Sequence, residues 1–202
     1  MQPSGEQICL SCGSFDATLA QVGASLRTMY HEGVELVSDY VEGEIAFYGE
    51  GQALVPWPNR IQDGRYQFEG HEHQLPLSEP EQRNAIHGLG RWLPWSIDSA
   101  DEHHVRFSLR IHPQAGYPFS LSIEVLYTLS EDGLRVETTA RNQGSGRLPY
   151  GCGFHPYFSL GSASVDEITL HVPASERLRV DERGIPSGQR IDVADTEFDF
   201  RA

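Results

Sequence analysis

The chain has 202 residues, 39% of them hydrophobic, with 29 acidic against 15 basic side chains and a net charge of −14. One domain spanning 1–202 accounts for such a length and can bury a sizeable core. The negative balance argues against nucleic acid or anionic membrane as a partner, because that affinity rests on cations that neutralise phosphate. All 15 basic residues are arginine, so a Walker-type lysine, a Schiff-base lysine and a lysine general base are excluded.

The opening stretch MQPSGEQICLSCGS lacks a basic patch followed by an apolar run, and nowhere do about 18 consecutive apolar residues occur. A cytoplasmic protein is the expectation. Cys9 and Cys12 have CxxC spacing, but Cys152 is the only other cysteine, and structural zinc needs four ligands. Reduced, partly buried thiols are expected, with no metal.

The first irregular segment is VPWPNRIQDGRYQFEG, 55–70, where Pro56 and Pro58 oppose regular pairing. The Asn59 amide and the Arg60 fork together can hydrogen-bond vicinal hydroxyls, the usual means of gripping a sugar. A bland alternative makes this an edge loop, with Arg60 paired to an acid and Trp57 in the core. Tyr66, Phe68 and Leu75 flank Glu69-Gly70-His71 as a short hairpin. Alternation sends His71 and His73 to one face, but no third metal ligand is evident there or beside His103-His104.

RNAIHGLG, 83–90, is the second segment. His87 lies against a glycine turn, either as a structural imidazole or as a group presented to a ligand. Regular alternation then takes over. Val105, Phe107, Leu109 and Ile111 share one face of a strand, as do Leu121, Ile123, Val125, Tyr127 and Leu129 of the next. Glu131-Asp132-Gly133 turns the chain into Leu134, Val136, Thr138 and Ala140, giving a hairpin. Ile168, Leu170 and Val172 suggest a later strand.

The third segment, LPYGCGFHPYFSL, 148–160, holds His155 just before Pro156, which biases the histidine to an extended, directed backbone. A packed aromatic turn would account for the same residues, and Cys152 with His155 lacks a partner that would orient a thiol–imidazole pair. With 20 glycines, 12 prolines and no amphipathic helix of three turns, the chain reads as an all-β, antiparallel sandwich or barrel.

Taken together, the three segments are similar to the aldose 1-epimerase (galactose mutarotase) family. The resemblance runs through Gly23-Ala24-Ser25-Leu26, Pro58-Asn59-Arg60-Ile61 with Gly64, Ile86-His87-Gly88-Leu89 followed by Trp95, Pro149 and Gly151 ahead of His155-Pro156-Tyr157-Phe158, and the DTEFDF tail. It implies a β-sandwich of the galactose mutarotase type and interconversion of the α and β anomers of a free aldose, without metal or organic cofactor. By the same resemblance His155 is the acid at the ring oxygen, His87 supports it, and Asn59 and Arg60 hold hydroxyls. The family's general base is a glutamate near the C-terminus, preceded by an aspartate that contacts sugar. Neither has a counterpart before Ala202, and family members continue for about another third of their length. The expectation is either a piece of a longer protein, with strands of the sandwich missing, or a shortened relative using another carboxylate. A small-molecule sugar is the expected partner. The function of a different class that fits the same residues is a sugar-binding module without turnover, which needs only the hydroxyl-gripping groups.

Overall fold

Short strands with one apolar face each dominate the computed structural model, which describes residues 2–38, 40, 43–161 and 164–201. Strands β1 (Gln7–Cys12), β2 (Phe15–Ala20), β3 (Ser25–His31) and β4 (Val34–Val37) form an antiparallel meander. A chain of small pairs follows: β5 (Ala53–Leu54), β6 (Arg60–Gln62), β7 (Arg65–Phe68), β8 (His71–Gln74) and β9 (Asn84–Ile86). Of these, β6 pairs with β9 and β7 with β8. A second meander runs through β10 (Ser96–Ala100), β11 (His104–Ile111), β12 (Leu121–Ser130) and β13 (Gly133–Asn142). Last come β14 (Gly153–Phe154), which pairs back onto β5, and the hairpin of β15 (Glu176–Val180) and β16 (Pro186–Asp192).

The two four-stranded sheets share one core. Leu10, Ala17 and Leu19 from the first pack in a single cluster with Val105, Phe107, Ile123, Val125 and Tyr127 from the second. Full burial of a Leu, Ile or Phe side chain contributes about 1.5–3 kcal/mol, so the alternation read in β11 and β12 becomes stability here. Tyr127 is buried, and its hydroxyl satisfies itself by donating to Ala24 O at 2.7 Å. That bond fixes the 23–26 loop onto the second sheet.

The two-residue turns match the expected hairpins. Phe68 pairs with His71 around Glu69-Gly70, and Ser130 pairs with Gly133 around Glu131-Asp132. Beyond Leu134, alternation in β13 does not bring burial. Val136 is 37% exposed and the strand lies at a sheet edge. Between β13 and β3 runs an apolar groove of about 260 Å³, lined in part by Leu26, Met29, Leu134, Val136, Phe154 and Phe158.

Two expectations fail. Ile168, Leu170 and Val172 form no strand; a single 3-10 turn at Val165–Glu167 precedes an extended stretch in which Leu170 is exposed. Alternation alone cannot hold a strand without a neighbouring edge to pair with. The thiols also differ from expectation: Cys9 and Cys152 are exposed, and only Cys12 is half-buried. Three residues apart on β1, Cys9 and Cys12 point to opposite faces and cannot chelate one ion. Among the described residues no cluster of His, Cys, Asp and Glu has metal-site geometry, and no helix is long and apolar enough to cross a membrane.

Candidate active site

Residues 53–55 form the spine on which the two histidines meet. On one side β14 pairs with β5, so that His155 follows directly, and its carbonyl accepts from Gly51 N–H at 2.8 Å. On the other side Val55 bridges Gly88 in parallel, and the Val55 carbonyl accepts from both Leu89 N–H (2.7 Å) and Gly90 N–H (3.1 Å). The rings of His87 and His155 thereby stand edge to face with centroids 5.2 Å apart. Tyr157 stacks on the His155 ring, with centroids 5.2 Å apart.

The glycine turn explains how His87 is presented. Its φ is +62°, and Gly88 follows at +75°. A Cβ on Gly88 would fall 2.0 Å from Val55 O, so only glycine allows the carbonyl to approach. Asn59, also left-handed at +60°, clasps the histidine through its backbone. Its carbonyl accepts from His87 N–H at 3.0 Å, and its N–H donates to His87 Nδ1 at 3.1 Å. A nitrogen that accepts carries no proton, so neutral His87 bears its hydrogen on Nε2. Burial, then the positive charges of Arg91, His155 and Arg60, push its pKa down to about 4. Near neutrality His87 is therefore a neutral imidazole with one N–H to offer.

Arg60 is placed by the pairing of β6 with β9. Its Nε and Nη2 donate to the two carboxylate oxygens of Glu79, each at 2.8 Å, a bidentate pair. The hydrogen bonds raise the pKa of Arg60 and lower that of Glu79. Arg60 thus pairs with an acid, as the bland alternative has it, and its Nη1 makes no hydrogen bond among the described residues. Trp57 is half-buried and packs against the core. The Asn59 side chain is exposed beside His87.

Three contributors escaped the sequence reading. Arg91 is buried, its Nη2 donating to Phe47 O at 3.1 Å and its guanidinium lying 4.2 Å from the centre of the Trp92 ring. Burial lowers its pKa, and its charge helps keep His87 neutral. An arginine four residues past His87, across the glycine turn, was the available signal. Glu79 and Asn84 had none, since their importance comes from pairing with Arg60. The Gly23-Ala24-Ser25-Leu26 motif is now explained by support: Ser25 Oγ donates to Glu50 O (2.8 Å) and Leu26 N–H to Gly51 O (3.0 Å), fixing the loop that touches His155.

The geometry can grip hydroxyls and move protons between oxygens. His87 offers a neutral N–H, both ring nitrogens of His155 are without a hydrogen bond among the described residues, and Arg60 and Asn59 flank them. Comparison with known proteins places the chain among relatives of one family. The chain is 38% identical over 200 residues to the uncharacterized protein YihR of Escherichia coli K12, covering 98% of the chain and 65% of that protein. It is 36% identical to the galactose mutarotase of Rattus norvegicus over 71% of the chain and 42% of the relative. The crystal structure of an aldose epimerase homologue from C. elegans superposes with a TM-score of 0.84 at 25% identity, covering 98% of this chain and 64% of that one. A galactose 1-epimerase from Lactobacillus acidophilus gives 0.81 at 26% identity, covering 94% and 58%. The chain thus spans about two-thirds or less of the length of these relatives, and its sandwich is of the galactose mutarotase type. The family model for aldose 1-epimerase matches residues 6–202, and the chain belongs to that family.

Proposed function

We propose that this chain carries the histidine half of an aldose 1-epimerase site, acting on a free aldohexose. The observation that carries the reading is the His87–His155 pair, 5.2 Å apart, with one ring held neutral by its surroundings. In the proposed cycle His155 protonates the ring oxygen as the sugar opens and takes that proton back on closure. His87 donates its Nε2 hydrogen to a substrate oxygen, and Asn59 and Arg60 hold neighbouring hydroxyls. Rotation of the aldehyde end between opening and closure exchanges the anomers. Loss of the anomeric proton forms the C1 carbonyl as the C1–O5 bond breaks and the ring oxygen is protonated, and closure reverses these changes, so the scheme needs no metal or cofactor.

A base must also take the anomeric proton. Glu79 is committed to Arg60, and the Glu50 carboxylate accepts from Tyr48 N–H at 2.9 Å. With both of these carboxylates engaged among the described residues, a second reading is a sugar-binding sandwich without turnover. The shared core of the two sheets supports treating 1–202 as one domain. Three free thiols suit the reducing cytoplasm, where we place the protein.

Polarimetry on fresh α-D-galactose separates the readings. The enzyme reading expects acceleration over buffer, and a drop of about 10²–10⁴-fold in His155→Ala, the usual range for a lost general acid. Sugar binding with no acceleration by the unmodified protein would favour the binding module.

A further inference from the structure

The turn that joins β15 to β16 reaches back about 100 residues in sequence to the candidate site. Asp181 shapes it: its Oδ1 accepts from Arg183 N–H and Ile185 N–H, both at 2.9 Å, and its carbonyl from Gly184 N–H at 3.0 Å. So held, Arg183 donates through Nε to Gln82 O at 2.9 Å. Its Nη2 lies 3.0 Å from Asp63 Oδ1, 3.0 Å from Arg83 O and 3.1 Å from Asn84 Oδ1. A fork spent on three acceptors at 82–84 and a fourth on Asp63 does more than tether an exposed hairpin.

The Asn84 contact is the informative one. Asn84 is completely buried, and its amide has two faces to place. With Oδ1 toward the Arg183 guanidinium, Nδ2 is left to donate to Glu79 Oε2 at 3.0 Å. The reverse orientation would set N–H against a cation and an oxygen against a carboxylate, two repulsions in a buried place. Glu79 in turn is the carboxylate that takes both Nε and Nη2 of Arg60. The Arg183 guanidinium, and its carbonyl, which accepts from Asn84 Nδ2 at 3.4 Å, thus fix the amide together with Glu79, and the carboxylate so held aims the guanidinium of Arg60.

We propose that Arg183 is a positioning residue for Arg60, acting through the Asn84 amide and the Glu79 carboxylate and through the turn it anchors, whose Gly184 lies against Nη1 of Arg60, so that the guanidinium is held ready for a sugar hydroxyl. The last step rests on the sugar-binding reading above; the relay itself does not.

The test therefore has two arms on the full chain. In the first, the Arg60 Nε–H resonance is identified by its loss in Arg60→Ala and followed in Arg183→Ala. It is expected to shift and broaden. An unchanged resonance in folded Arg183→Ala would overturn the relay. In the second, D-galactose affinity is measured by NMR titration for the wild type, both single variants and the double variant. Arg183→Ala is expected to weaken binding by about 3–10-fold, a coupling of ordinary size for one hydrogen-bonded network. It should cost nothing further in the Arg60→Ala background. Additive losses would reduce Arg183 to a structural tie. Should the alanine variant not fold, Arg183→Lys, which keeps the charge but not the fork, is expected to shift the resonance in the same direction by less; no shift overturns the proposal. A wild type that binds no galactose sinks the sugar reading while the resonance still judges the relay.

Discussion

His87 shows how a single residue takes its role from its surroundings. With a pKa of about 4 against 6.5 when free, it stays unprotonated in the folded state while the unfolded chain takes up a proton. The unfolded state then binds more protons between pH 6.5 and 4, so stability rises with pH across that window and is lost as pH falls through it. The urea midpoint is expected to drop from pH 6.5 to 4, and His87→Gln to remove part of that drop. Equal slopes in the two proteins would mean that His87 is not the group responsible. The identity of the histidine was legible in IHGL, and its neutrality was not. That property depends first on burial and then on Arg91, whose guanidinium is held by a hydrogen bond to Phe47 O, 44 residues back in the chain.

At the level of elements, the glycine turn and the strands around it differ in what a sequence discloses. Gly88→Ala forces a methyl group to within 2.0 Å of a carbonyl that already accepts two hydrogen bonds, at φ +75°. A loss of about 2–4 kcal/mol in urea unfolding is expected, the range of severe backbone and packing lesions. Gly70→Ala is the control, since its added methyl meets nothing within 4 Å, and only the left-handed strain of about 1 kcal/mol remains. If the two variants lost equal stability, the Val55 contact would not be what fixes the turn. Strands β7, β8, β11, β12 and β13 were legible because alternation and two-residue turns agree locally. β15 and β16 were not, since their pairing partner is each other alone and most of their side chains are exposed. The 168–172 stretch misled for the complementary reason: it alternates, but apart from one backbone bond from Val172 N–H to Phe200 O it finds no strand to pair with among the described residues.

On the scale of the molecule, the groove between β3 and β13 leaves Val136 and Phe158 in solvent, Phe158 at 79% exposure, on a chain of net charge −14. Repulsion between like-charged copies opposes contact at that face, and its reach is about 10 Å at 0.1 M salt and about 3 Å at 1 M. Raising salt is therefore expected to promote self-association, seen as a growing fast component in sedimentation velocity. Phe158→Ser should suppress it. Association that weakens with salt would point instead to ionic contacts elsewhere. The sandwich was legible from strand count and turn spacing, but the open groove was not, because alternation in β13 names an apolar face without saying what covers it.

The reach of Arg183 across the chain also has a meaning in time. A ribosome makes the two histidines, Arg60, Glu79 and Asn84 before it makes the turn at 181–184. Domains generally fold as units during synthesis, at about 5–20 residues per second. Between the emergence of His155 and that of Arg183 the nascent sandwich holds its imidazoles but not the set of its arginine. On the positioning proposed for Arg183, the setting of Arg60 waits for a turn made after both histidines, and a chain stalled before it would hold its imidazoles without that set.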